Sequence, residues 1–387
     1  MDFTEIIFLS LLVVSLVRVS SLWLLSIAYG FRKAANVQPN DRVSVIVPAF
    51  NEAKSISASI ESLLAQNYGD FEVVVVDDGS TDSTLETARK FEGPRVKVLH
   101  QDNKGKAEAL NTGIRAASGS VVLTVDADTR LGDGALESLA RRFAAEKDLG
   151  ALSGNVKVDR PRGLLGRMQD VEYATGIGLT RKGQSMLATV MIVPGPIAAF
   201  RKEAVEKVGY FSPSTYAEDF DITLAVLKAR YRVEYEDRAV AYTIAPKNVE
   251  DLLKQRRRWF RGMVQVLAKN EDMFMRKKYG VAGMYGIPYM WYDTISPLVN
   301  LALSLMAVVA GFETGDWTTI LIGLGFYWVL QTAVAISAIL QDSGRRAWQI
   351  LLSPLLIFYN TFLDGIRVAA FMEEVLSLNM KWETPAR

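Results

Sequence analysis

Apolar positions along this chain fall into three regimes. Residues 6–29 (IIFLSLLVVSLVRVSSLWLLSIAY) form one nearly unbroken apolar stretch, long enough to span a bilayer. Between residues 41 and 245 the apolar runs shorten to four to six residues. Runs 43–47, 71–76, 96–99 and 120–125 are rich in β-branched residues and read as strands. Amphipathic segments such as 53–66 and 82–91 separate them. Strands alternating with helices predict an α/β domain with a doubly wound, mostly parallel sheet, and unbroken apolar strands fit a sheet covered on both faces. After residue 248 the character changes again. Residues 249–270 are basic and amphipathic, with Arg256, Arg257, Arg258 and Arg261 interleaved with Trp259 and Phe260, a pattern suited to a membrane surface. Three long apolar stretches follow, near 287–312, 317–340 and 348–372.

Charge orients these regimes. Asp2 and Glu5 precede the first stretch and Arg32 and Lys33 follow it, the reverse of a secretory signal. The positive-inside rule then places the next domain in the cytoplasm. Arg18 interrupts the stretch, and two readings stand side by side: pairing or snorkelling within a helix bundle, and lining of a polar channel. The connection 313–316 is acidic, whereas 342–346 carries Arg345 and Arg346, which points to a cytoplasmic side. Asp364 and Arg367 in the last stretch predict that it faces other helices or lies partly in the interface. The expected division is a transmembrane helix in 1–35, a catalytic-type domain in 40–247, interfacial helices in 248–285 and about three membrane helices in 286–374.

Composition narrows the chemistry. The 387 residues include 44 basic and 43 acidic side chains, a net charge of +1, without the basic excess of a nucleic-acid binder. Cysteine is absent, which excludes disulfides and thiolate metal sites. The single histidine, His100, follows run 96–99 and reads as the end of a strand. Acid–base chemistry therefore falls to carboxylates, and metal binding to oxygen ligands.

Four polar motifs stand out. Asp77-Asp78-Gly79-Ser80 follows run 71–76; ligands of open parallel sheets sit beyond strand carboxyl ends, yet the same tetrapeptide is ordinarily a turn and helix cap. Asp126-Ala127-Asp128 follows run 121–125 and can offer two carboxylates to one Mg²⁺ or Mn²⁺, though Asp-x-Asp is common in loops. Glu218-Asp219, with Asp221, precedes a helical run 222–228, where acidic residues are usual. Gln255-Arg256-Arg257-Arg258-Trp259 is either an interfacial anchor or an arginine clamp on a diphosphate with an indole for a sugar ring.

The order of these motifs is more specific than any one of them. VPAFNE (47–52), DDGSTD (77–82), GKAEALN (105–111), DAD (126–128), AEDFD (217–221) and QRRRW (255–259) occur in that sequence. The series resembles the inverting family 2 glycosyltransferases of GT-A fold, and within them the processive membrane synthases of cellulose, hyaluronan and poly-N-acetylglucosamine. The stretch from Gln169 to Trp259, including PGPIAAFR (194–201), is most similar to the last of these. The resemblance implies a multi-pass cell-membrane enzyme with a cytoplasmic GT-A domain, using Mg²⁺ or Mn²⁺. It implies Pro48, Glu52, Asp77, Asp78, Lys106, Asp126 and Arg258 at the nucleotide-sugar, with Asp78 on the uracil. Asp126 and Asp128 would hold the metal, Asp128 as the direct ligand. Asp219 matches the general base, beside Glu218, and Gln255 and Trp259 match the acceptor site. UDP-GlcNAc is the first expected donor and UDP-glucose the second; a growing glycan is the expected acceptor, and a single transfer to a lipid acceptor is the alternative. The sequence departs from the family pattern at Ala217, where threonine is usual, and in having one apolar stretch before the domain.

Overall fold

The computed structural model describes residues 17, 20–32, 37–344 and 346–378. Most of the expected first transmembrane segment, with Arg18 and Lys33, and also Arg345, lies outside the described residues. Of that segment the helix Ser20–Tyr29 is described.

The sheet begins with β1 (Val43–Ala49), β2 (Phe71–Asp78), β3 (Val96–Gln101) and β4 (Val121–Thr124), separated by α1 (Ile56–Leu64), α2 (Thr84–Arg89) and α3 (Lys106–Ala116). These four strands pair in parallel in the order β3-β2-β1-β4. Side chains alternate across each strand. Thus Ile46, Val74 and Val76 enter the core beneath α3, while Val45, Val47, Val73 and Val75 enter the core beneath α1. Two-sided burial is why β1, β2 and β4 read as continuous apolar runs, whereas β3 at the sheet edge is half-exposed.

The rest of the sheet adds antiparallel pairings to one that stays mostly parallel, as expected. β5 (Arg130–Leu131) and α4 (Ala135–Ala145) lead to β6 (Leu149–Val158). The chain then runs through α5 (Gly163–Glu172), a π-helical turn Tyr173–Gly178 and α6 (Leu179–Ser185) before β7 (Ala198–Arg201). β7 is antiparallel to both β4 and β6, and the Pro194–Ile197 turn leads into it. After α7 (Lys202–Val208) and α8 (Glu218–Lys228), β8 (Arg232–Thr243) pairs in parallel with β6 and antiparallel with β5.

Helix α9 (Val249–Lys269) leaves the sheet. Its cap is reciprocal: the Asn248 side chain accepts from Asp251 N at 2.8 Å and donates to the Asp251 carboxylate at 2.9 Å. Then come α10 (Ile287–Thr314), α11 (Trp317–Leu340), α12 (Ala347–Leu352) and α13 (Leu356–Val375). Three helical segments, Ala282–Thr314, Ile320–Leu340 and Ala347–Val375, are long and apolar enough to cross a membrane. The 341–346 connection is tied to the α/β domain: Asp342 meets Lys157 at 3.1 Å and Arg346 meets Asp170 at 3.3 Å. Trp23 donates to Ser337 at 2.9 Å, and Tyr29 to the Tyr235 carbonyl at 3.0 Å, so helix Ser20–Tyr29 packs between α11 and the domain. Arg32 pairs with Glu234 and, at 3.3 Å, with Glu146.

Candidate active site

The carboxyl ends of β1, β2 and β4 converge on one edge of the sheet, where ligands of open α/β sheets bind. Pro48 lies in the last residues of β1, in register with Val76. Just beyond, the Glu52 carboxylate accepts from Ser55 at 2.6 Å and its amide donates to Thr84 at 2.7 Å.

Asp77 and Asp78 are the final residues of β2, both buried. Asp78 accepts from the Gln101 amide at 2.7 Å and from Lys104 N and Gly105 N at 3.0 and 2.8 Å. It thereby shapes the loop that starts α3. Asp77 accepts from Ser80 N at 3.3 Å and lies 2.8 Å from His100 Nδ1 through the same oxygen. Its other oxygen, Oδ1, is buried with no hydrogen-bond partner. An unsatisfied buried acceptor costs about 1–3 kcal/mol, so a donor on a bound ligand would find a partner in Asp77 Oδ1, beside Asp78. Gly79 makes the turn possible: its φ is +75°, and a Cβ there would lie 2.7 Å from Asn103 N.

Lys106, the first residue of α3, is the hub of a second cluster. Its ammonium lies 2.6 Å from Asp126 Oδ1 and 3.3 Å from Glu218 Oε1. Burial alone would lower its pKa, but Asp126 and Glu218 outweigh that and hold it above the usual lysine value. Glu218 and Asp219 form the first turn of α8. Asp219 accepts from Phe220 N at 2.8 Å and from Gly195 N at 3.4 Å. Burial, and then the neighbouring Glu218 charge, push its pKa up to about 6, against the opposing pull of Lys106. Asp221 points elsewhere and pairs with Lys269 at 2.7 Å.

Sequence reasoning did not single out Gly195. A Cβ built on it would lie 2.7 Å from Lys106 Nζ and 3.2 and 3.3 Å from the two Asp126 oxygens. Only glycine leaves that space open beside Asp126. Asp128 is buried and accepts from Thr129 Oγ1 at 3.2 Å. Among the described residues no three His, Cys, Asp or Glu groups converge on one point. Asp126 and Asp128 would hold a cation here, with phosphate and water completing its shell. That is the usual Mg²⁺ arrangement, and the hard-oxygen donors fit it.

The third group lies on α9. At Gly262 this helix approaches α8 so closely that a Cβ would lie 2.8 Å from the Cβ of Ala217, so the small residue at 217 admits α9 at this position. Gln255, Arg258 and Trp259 are half-buried. Arg256 is fully buried, pairs with Glu172 at 2.6 Å and lies 4.2 Å from the Trp259 ring centroid. Arg257 pairs with Glu373 at 2.5 Å, and Arg261 with Glu374 at 2.8 Å, which fastens α9 to α13. The basic run is therefore divided between buried and surface pairs rather than being one solvated face. His100 was likewise read only as a strand end; it lies at one, and its ring faces Asp77.

Residues 44–209 match the glycosyl transferase family 2 model. Among curated proteins, the chain is 32% identical over 245 residues to a poly-beta-1,6-N-acetyl-D-glucosamine synthase of Staphylococcus aureus, covering 63% of this chain and 60% of that protein. It is 32% identical over 235 residues to the synthase of the same name from Staphylococcus epidermidis, covering 60% of this chain and 57% of the relative. The matches thus span less than two thirds of these relatives. Among solved structures, a mannosyltransferase from Pyrobaculum calidifontis in complex with GDP-Man and Mn²⁺ superposes with a TM-score of 0.70 at 22% identity, over 97% of this chain and 99% of that one. That likeness is one of fold.

Proposed function

Proceeding from a chain that carries a glycosyl transferase family 2 domain over residues 44–209, we propose that it is a membrane-embedded inverting glycosyltransferase that extends a polysaccharide, with UDP-GlcNAc as donor. The observation that carries the reading is the Asp126–Lys106–Glu218 contact set beside the buried Asp219, all at the sheet's ligand-binding edge. Similarity to poly-beta-1,6-N-acetyl-D-glucosamine synthases over 63% of the chain supports the donor and the polymeric product.

In this reading Asp219 accepts the proton of an acceptor hydroxyl, whose oxygen attacks the anomeric carbon from the face opposite the nucleotide. The C–O bond to the diphosphate breaks as the new glycosidic bond forms, and UDP leaves. Asp77 Oδ1 receives a donor from the base. Lys106 moves from Asp126 toward the diphosphate, and Arg258 adds charge stabilisation there. A divalent cation held by Asp126 and Asp128 would supply Lewis-acid neutralisation of the leaving diphosphate. Gln255 and Trp259 hold the terminal acceptor sugar, the indole against its apolar face.

The test is UDP release and product size with purified protein in lipid nanodiscs, given UDP-GlcNAc or UDP-glucose. The reading expects release and a long polymer with UDP-GlcNAc. A single-sugar lipid product would replace it with the single-transfer enzyme, and no release from any donor would remove the activity.

A further inference from the structure

Arg256 sits inside the QRRRW segment but does not share its neighbours' surroundings. Arg257 is exposed and pairs on the surface, whereas Arg256 is the largest of the fully buried side chains. A buried guanidinium is costly unless paired, and its partners here are informative. Nη2 donates to Glu172 Oε2 at 2.6 Å and Nη1 to Gln255 Oε1 at 2.6 Å. The guanidinium lies 4.2 Å from the centroid of Trp259 and 5.9 Å from that of Tyr173. One cation therefore holds both the amide of Gln255 and the indole of Trp259. Glu172 in turn accepts from the Tyr359 hydroxyl at 2.9 Å. Tyr359 lies on α13, within the third membrane-length segment. The chain of contacts runs from that helix, through Glu172 at the end of α5, to the two side chains read above as the acceptor site.

We propose that Arg256 is a positioning residue for the acceptor, and that Glu172 and Tyr359 complete the device. The trio fixes the rotamers of Gln255 and Trp259 before the acceptor arrives, and Tyr359 makes the third membrane helix part of the acceptor platform. Preorganised contacts bind more tightly because less side-chain freedom is lost on binding. The proposal rests on the reading of Gln255 and Trp259 as acceptor contacts.

The experiment compares Y359F, E172Q, R256K and W259A with the unmodified full chain in nanodiscs. It measures KM for UDP-GlcNAc, KM for a soluble N-acetylglucosamine oligomer, product length and Tm. Y359F removes one hydroxyl and keeps the ring, so it remains informative if R256K fails to fold. The expected result for Y359F is a rise of about tenfold in oligomer KM, or an equivalent shortening of product, with donor KM unchanged. In the W259A background Y359F then adds no further effect on acceptor use. If W259A impairs acceptor use but Y359F and E172Q change only Tm, the trio is a structural ion-pair cluster and the proposal falls. If W259A itself leaves oligomer KM and product length unchanged, the underlying acceptor reading falls and takes the proposal with it.

Discussion

A carboxyl group buried beside a second carboxylate keeps its proton to higher pH than one in water. For Asp219 this places the change near pH 6, a suitable range for a base working close to neutrality. The sign follows directly. Above about pH 6 Asp219 is ionised and can accept a proton; below it the group is protonated and cannot. We expect kcat/KM to fall roughly tenfold per unit as pH drops below that value, and a flat profile through this range would count against Asp219 as the base. D219N should lower kcat on the order of 10²–10⁴-fold while UDP affinity measured by calorimetry is retained; undiminished turnover would take Asp219 out of the reaction. Gly195 gives an independent check. In G195A the methyl group competes for the space of the Lys106 ammonium beside Asp126, so kcat/KM should fall on the order of 10²-fold without loss of Tm. Of these groups, Lys106, Asp126, Glu218 and Asp219 were legible in the sequence because their motifs occur in a recognisable order. Gly195, His100 and Arg256 were not, because each derives its meaning from a partner distant along the chain: Asp126, Asp77 and Glu172 respectively.

At the scale of elements, β1, β2 and β4 announced themselves because their side chains are apolar on both faces, and the edge strand β3 by its apolar Val96, Val98 and Leu99. β6 and β8 did not. Lys157 and Asn155 on β6, and Glu234 and Glu236 on β8, are buried and break the apolar pattern on which strand recognition depends. They are compatible with burial because Arg142 contacts Glu234 at 2.6 Å and Glu236 at 3.4 Å, and Lys157 contacts Asp342. β7, Ala198–Arg201, was hidden by its composition: AAFR has no β-branched residue, whereas the equally short β4 reads VVLT. Helix α9 was legible from its amphipathic period, and its cap explains its starting point. N248A should lower stability by about 1 kcal/mol, read as a drop in Tm, since both the acceptor for Asp251 N and the donor to the Asp251 carboxylate are lost.

For the molecule as a whole, the placement of the connections makes its sidedness testable. The 341–346 connection is held on the α/β domain through Asp342 and Arg346. The Glu313 end of α10 lies beyond the full length of α11, about 1.5 Å per residue away along its 24 residues. The chain has no cysteine, so one introduced thiol reports one position. S343C should react with a membrane-impermeant maleimide only where the α/β domain is accessible, and E313C only from the opposite face. Labelling of both from one side would overturn a membrane-crossing α11.

The fastening of α13 to α9 has an effect that reaches beyond assembly. Glu373 and Glu374 hold Arg257 and Arg261 near the end of α13, and Tyr359 reaches Glu172 of α5 near its start, so α13 is tied to α9 at one end and to α5 near the other. For a helix seated in lipid, tilt follows the thickness of the hydrocarbon layer. Couplings between two equilibria are equal in both directions. With α13 seated in lipid and the acceptor held by Gln255 and Trp259, as proposed above, lipid thickness and acceptor occupancy would be conjugate variables of one protein: whatever free energy the bilayer contributed to acceptor affinity through α13, the bound glycan would return as a preference for one membrane over another.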